Sequence, residues 1–207
     1  MTEKRIGFAI TGSFCTFSEV FPQMQLLVDR GYRVTPIMSQ SAYTIDTRFG
    51  AAGDWIQKAE EITGEKVIHT IAQAEPIGPK KLLDLLIIAP CTGNTLGKLA
   101  CGIYDTAPTL AVKSHRRNDG PVLIAVSTND ALSSSAASIG MLMGRRGLFF
   151  VPFEQDDYRN KPTSCVADFD KILPAAEAAL AGRQLQPMIF LRKWEEHGQM
   201  IRCIDSE

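Results

Sequence analysis

Apolar and polar positions follow two periods along this chain, and the alternation between those periods sets the expected architecture. Residues 5–11 (RIGFAIT) form a nearly continuous apolar run that ends at Gly12-Ser13, which reads as a buried strand feeding a loop. After Ser18, the positions Val20, Phe21, Met24, Leu27 and Val28 recur at helical spacing. Gly31 follows where a left-handed residue closes a helix cheaply. Residues 33–38 form a second strand that ends at Ser39, and a loop covers residues 40–48. Trp55, Ile56, Ala59 and Ile62 mark one face of a helix that stops at Gly64, with Trp55 in the core, and residues 66–70 read as a short strand. Residues 84–89 are apolar at nearly every position, then a turn spans 90–94 and a helix 95–100. Residues 121–126 are a further apolar strand, followed by Ser127-Thr128-Asn129-Asp130 and a helix with Ile139, Leu142 and Met143 inward. Residues 148–151 are the last core strand, and residues 174–180 an alanine-rich helix stopped by Gly182.

Strands apolar on both faces belong in a parallel sheet covered by helices. The strand-helix alternation therefore predicts a three-layer, doubly wound parallel α/β sheet, Rossmann-like or flavodoxin-like. Residues 1–183 form this domain, and residues 184–207 form a tail that packs on it or on a neighbouring protomer. Right-handed crossovers bring all strand carboxyl ends to one edge, where ligands bind. Thr11-Gly12-Ser13, Ser39, residues 90–95 and residues 127–130 should meet there.

Composition narrows the function. Lys and Arg number 22 against 23 Asp and Glu, so the net charge of −1 offers no basic footprint for nucleic acid. The one dense basic stretch, residues 113–117, reads as a solvated turn. No apolar run approaches the ~18 residues that span a bilayer. Residues 1–5 lead straight into the first strand with no secretory apolar region, so a cytoplasmic location is expected. The 5 cysteines contain no Cys-x-x-Cys pair and the 3 histidines are scattered, so no metal site is predicted and the thiols are expected to be free.

The strand ends are rich in small hydroxyl residues, Gly and Asn; they lack His, and Asp130 is their single acid. Such groups hydrogen-bond to phosphates and polyols through N–H, O–H and helix N-termini, and serve acid/base work poorly. Thr11-Gly12-Ser13-Phe14-Cys15 is not Gly-x-Gly-x-x-Gly, and no Walker-type phosphate loop is present, so a mononucleotide fits better than a dinucleotide. Ser13, Ser39, Asn94 and Thr95 also read as caps of the helices that follow, a role compatible with anion binding. Cys91 reads either as a thiol activated at a helix N-terminus or as a small buried hydrophobe.

Thr11-Gly12-Ser13 resembles the Gly-Ser loop of the FMN-binding flavoproteins, the homo-oligomeric flavin-containing cysteine decarboxylase family. Ala89-Pro90-Cys91-Thr92-Gly93-Asn94-Thr95 is similar to that family's Pro-Ala-Ser-Ala-Asn-Thr signature, with Pro, Asn and Thr retained. Ser39 matches a hydroxyl that touches FMN in that fold. Within the family, Thr47-Arg48-Phe49-Gly50 and residues 74–80, 127–132, 152–157 and 184–187 resemble the flavoprotein-like components of a two-component synthase of pyridine-2,6-dicarboxylate. The resemblance covers the chain from about residue 5 to residue 187.

The resemblance implies FMN held by Gly12, Ser13, Ser39, Thr92, Gly93, Asn94, Thr95, Ser127 and Thr128. It implies a small dicarboxylate substrate, a dihydro or hydroxy-tetrahydro precursor oxidised in sporulating cells. Arg48, Lys80 and Lys161 are its candidate cationic partners, and each also reads as a solvated surface cation. Asn129 and Asp130 orient the substrate or take a proton, or they cap the next helix. The implied partner is the nicotinamide-dependent component of the synthase, using NAD(P), and the implied assembly is a homo-oligomer built from trimers. The chain departs from the decarboxylases in two places: residues 74–76 hold no catalytic His, and residues 127–132 replace their Pro-x-Met-Asn-x-x-Met-Trp signature. The alternatives are an FMN-dependent decarboxylase or prenyl-flavin-type transferase, and a flavin-free structural component.

Overall fold

Five strands run parallel in the order β2-β1-β3-β4-β5: β1 (Arg5–Ile10), β2 (Arg33–Met38), β3 (Leu85–Cys91), β4 (Val122–Thr128) and β5 (Leu148–Phe150). This computed structural model describes residues 4–189, 195–196 and 199–200. The five-strand order is that of the flavodoxin-like class, with its switch point between β1 and β3. β3 is buried at every position from Leu85 to Cys91, and β4 at all but Thr128, as central parallel strands must be.

The sheet is mixed rather than purely parallel. β5 ends at Phe150, which leaves the last residues of β4 without a neighbour on that side. The chain folds back through β6 (Phe153–Glu154) and β7 (Cys165–Ala167), and β7 pairs antiparallel with Ser127 and Thr128. This ribbon carries residues 155–164 to the carboxyl edge of the sheet.

The helices are α1 (Phe17–Asp29), α2 (Gln40–Thr44), α3 (Ala52–Thr63), α4 (Ile71–Ala74), α5 (Gly93–Ala100), α6 (Ala107–Arg116), α7 (Ala136–Met143) and α8 (Ile172–Leu180). α1 packs with α3 and α8 on one face, and α5 packs with α6 and α7 on the other. Trp55 of α3 does join the core: its ring meets Phe17 edge to face, with centroids 5.4 Å apart.

Several local expectations change. Residues 40–44 are helical, not a loop, because the Ser39 hydroxyl accepts the Ala42 N–H and caps α2. Residues 66–70 make a single bridge, Ile37 to Ile68, in place of a strand. β3 runs on through Pro90 to Cys91, so the turn before α5 shrinks to Thr92, its cap.

The basic stretch 113–117 is no solvated turn. It closes α6, which starts at a Thr106–Thr109 capping box and buries Ala111, Val112, Ser114 and His115. Polar Thr109, Ser114 and His115 occupy inward positions and erase the apolar period. Lys113 and Arg116 stand in the last turn, where cations favour the helix dipole.

Residues 184–189 lie along β5 and β6. Gln184 accepts the Phe150 N–H at 2.8 Å and donates to the Phe150 carbonyl at 2.7 Å. The Met188 carbonyl accepts the Phe153 N–H at 3.0 Å. Beyond them, β8 (Glu195–Glu196) and β9 (Gln199–Met200) pair antiparallel. The rest of the expected 184–207 tail lies outside the described residues. Among the described residues no helix is long and apolar enough to cross a membrane.

Candidate active site

β1 leads to β2 on one side, while β3 lies on the other, so a crevice opens where their carboxyl ends diverge. Thr11 closes its floor. The buried Thr11 hydroxyl donates to the Pro90 carbonyl at 2.7 Å and accepts the Thr92 N–H at 3.1 Å. The Thr92 hydroxyl then accepts the Thr95 N–H at 3.3 Å and caps α5. The N–H groups of Gly93 and Asn94, at the first turn of α5, have no intrahelical acceptor. The Ser39 hydroxyl lies 3.1 Å from that of Ser41, and Ser13 meets Ser127 hydroxyl to hydroxyl at 2.8 Å.

Two depressions open from this floor and share Gly12 and Thr92. One, of about 490 Å³, is lined by Ser39, Ser41, Asn94, Thr95 and Lys98 among others. The exposed Asn94 side chain makes no hydrogen bond to the described residues. The other, of about 570 Å³, is lined by Ser13, Ser127, Thr128, Asn129, Lys161 and Cys165 among others. A larger depression of about 660 Å³ lies by Pro121, Gly147 and Met188 and holds none of the expected site residues. Strand carboxyl ends, not size, identify the site.

The structure thus gathers Gly12, Ser13, Ser39, Thr92, Asn94, Thr95, Ser127, Thr128, Asn129 and Lys161 around these two depressions. Gly93 lines neither; its Cα faces the Asp130 carboxylate and its hydroxyl partners. Arg48 is exposed on the turn after α2, its guanidinium 4.8 Å from the Phe49 ring centre. Lys80 is not brought to the site. It lies before β3, where the Lys80 N–H donates to the Pro76 carbonyl, at the opposite edge of the sheet.

Asp130 is fully engaged. Its carboxylate accepts hydrogen bonds from Thr128, Ser134 at 2.7 Å and Ser135 at 2.9 Å. These hydroxyls, Thr128 foremost, hold its carboxyl below the usual carboxylate range. It is a fixed anion that organises a loop, and it is poorly suited to take a proton. Asn129 contributes its carbonyl to the Thr163 hydroxyl at 2.7 Å, which leaves its side chain to the depression. Lys161 pairs with Asp156 at 3.6 Å, a contact loose enough to yield to a stronger anion.

Burial pushes the Cys91 thiol far up, so it is a small hydrophobe and not an activated thiol. Asp156, Ser164 and Cys165 line the site and escape the sequence reading, because the two- and three-residue strands β6 and β7 give no periodic signal. His69 also belongs to this edge. Ile68 accepts the Met38 N–H just past β2, and the His69 ring stacks on Tyr43 of α2 at 3.7 Å. Residues 70–84 separate His69 from β3 in sequence. Among the described residues no group of acidic, His or Cys side chains could hold a metal ion.

The donor set fits a phosphorylated polyol: helix N–H groups without intrahelical acceptors, the free Asn94 amide and a row of hydroxyls, and no acid lines the depression that holds Asn94. Known proteins point the same way. A family model described as Flavoprotein matches residues 1–139. The B-type subunit of dipicolinate synthase from Bacillus subtilis (strain 168) is 44% identical over 186 residues, 90% of this chain and 93% of that protein. The crystal structure of the corresponding B-type subunit from Bacillus halodurans superposes with a TM-score of 0.83 at 42% identity, covering 90% of this chain and 96% of that one. The FMN-dependent cysteine decarboxylase SpaF gives a TM-score of 0.64 at 21% identity over 86% of this chain and 97% of its own, a likeness of fold.

Proposed function

The chain belongs to the Flavoprotein family, and from that premise we propose that it acts as the B-type subunit of a dipicolinate synthase. Working in the cytoplasm of a sporulating cell with a nicotinamide-dependent A-type partner, it contributes to oxidising dihydro- or hydroxy-tetrahydrodipicolinate to dipicolinic acid. The observation that carries this reading is the 44% identity that spans 90% of the chain.

FMN, when bound, supplies a two-electron acceptor beside the substrate. The chain's own residues do the rest. The N–H groups of Gly93 and Asn94, the Asn94 amide and the hydroxyls of Ser39, Ser41 and Thr95 bind the phosphate and polyol end. Gly12, which lines both depressions, puts no side chain between them. In the second depression Lys161, released from Asp156, meets one substrate carboxylate as a point charge. Ser13, Ser127 and Asn129 orient the ring. Arg48 stands close enough in sequence to Phe49, a lining residue, to meet the second carboxylate from the rim. NAD(P) binds the A-type partner, and this chain assembles as a trimer-based homo-oligomer.

The test is reconstitution. The purified chain, its A-type partner, NAD(P) and the lysine-pathway precursor should form dipicolinate, measured by its ultraviolet absorption, and omission of this chain should abolish it. Equal rates without this chain would remove it from the reaction. A second reading, decarboxylation of a cysteine-ended substrate, draws support from His69 at the carboxyl edge; release of carbon dioxide from such a substrate would favour it.

A further inference from the structure

We infer that Gly93 and Asp130 are a coupled pair of positioning residues that sets where the first turn of α5 stands in the cleft, and so sets the affinity for the phosphorylated ligand. The inference rests on the flavin reading above and deepens it.

Gly93 is the first residue of α5. It is not among the glycines with positive φ, so the chain does not need glycine there for backbone freedom. It needs the space. A Cβ at this position would lie 2.5 Å from Ser135 Oγ, 2.7 Å from Asp130 Oδ1 and 2.8 Å from Thr128 Oγ1. All three atoms belong to one hydrogen-bonded cluster, centred on the carboxylate that accepts from Thr128, Ser134 and Ser135. A hydroxyl held by that carboxylate cannot swing aside without leaving a hydrogen bond unmade. The cluster is therefore a stiff wall, and the helix start is seated directly on it.

The placement has a functional consequence. Thr128 lines the depression that holds Lys161, and Asn94 and Thr95 line the other. Gly93 and Asp130 meet between the two. A methyl group at residue 93 would push the first turn of α5 off the wall, moving the Gly93 and Asn94 N–H groups together. The flavoprotein signature that residues 90–95 resemble carries alanine at this place. Here the carboxylate and its hydroxyls fill the volume that a methyl would take.

The experiment measures FMN affinity by fluorescence quenching on the full chain, for wild type, Gly93→Ala, Asp130→Ala and the double variant. Gly93→Ala is expected to weaken binding at least tenfold in the wild-type background. In the Asp130→Ala background, where the hydroxyls are free to rotate away, the same change is expected to cost less than threefold. Melting of the ligand-free proteins is followed alongside. A lower melting temperature for Gly93→Ala with unchanged FMN affinity overturns the inference, as does an equal loss in both backgrounds. Should Gly93→Ala not fold, Asp130→Asn keeps the size while removing an acceptor; several-fold weaker binding supports the pair, and unchanged binding overturns it. A wild-type chain that binds no FMN overturns the flavin reading and this inference with it. A wild type that binds while the variants bind equally well overturns this inference alone.

Discussion

Thr11 and Thr92 tie the carboxyl ends of β1 and β3 together: the Thr92 N–H donates to the Thr11 hydroxyl at 3.1 Å, while that hydroxyl donates to the Pro90 carbonyl at 2.7 Å. One buried side chain thus fixes both lips of the crevice. Thr11→Val keeps the shape and leaves the buried Pro90 carbonyl and the half-buried Thr92 N–H without this partner. The expected loss is about 1–3 kcal/mol of stability, read from denaturant unfolding, with weaker FMN retention. Wild-type stability would show that the two strand ends are held by the sheet alone.

Asn94 lies two residues further on and does nothing for the fold. Its exposed amide has no partner among the described residues, so Asn94→Ala should shift stability by less than about 0.5 kcal/mol. A lost ligand hydrogen bond of about 0.5–1.5 kcal/mol predicts FMN binding weaker by roughly 2- to 12-fold. Titration of the variant with FMN checks this.

How far the sequence reveals this site depends on how each part is built. β1, β3 and β4 are legible as strands because a strand buried on both faces must be apolar throughout, although β3 and β4 each run two residues past their expected ends, to Cys91 and Thr128. Ser39, Thr92 and Asn94 fall at strand ends. α6 is illegible because Thr109, Ser114 and His115 are buried polar residues; the Thr109 hydroxyl bonds within the capping box with Thr106, and His115 Nε2 donates to the Pro121 carbonyl at 3.0 Å. The β6–β7 ribbon is too short for a period, yet it delivers Asp156, Ser164 and Cys165. Lys80 falls within a segment of family resemblance, but resemblance gives no direction: a residue that precedes β3 sits at the wrong edge. In sequence Asp130 stays open between orienting the substrate, taking a proton and capping a helix, because the three hydroxyls around its carboxylate are visible only in three dimensions.

His115 makes stability depend on pH. Burial is the main cause that lowers its pKa, against the opposing contact with Pro121. The folded state therefore favours the neutral ring, and this contribution is present above the ordinary pKa of about 6.5. It is lost as pH falls below that value through the depressed folded value. Unfolding free energy should decline from pH 7 to pH 5, and His115→Gln should flatten that slope. An identical slope in the variant would assign the decline to other groups.

Cysteine reactivity reports on the second depression. Cys15 is exposed and lines it, whereas Cys91 is buried with its thiol pushed far up. A thiol reagent on the native protein, read by mass spectrometry, should label the Cys15 peptide and spare Cys91. Saturating FMN should slow the labelling of Cys15. Labelling unchanged by FMN would place the ligand elsewhere.

The central claim is that the crevice at the ends of β1 and β3 is a flavin site. The most direct measurement is the visible absorption spectrum of the purified chain, taken again after FMN is added and the protein desalted. The account predicts a flavin band that survives desalting at about one equivalent per chain and is diminished in Asn94→Ala. A colourless protein that retains no FMN would contradict it, and would return Ser39 and Thr92 to the role of helix caps alone.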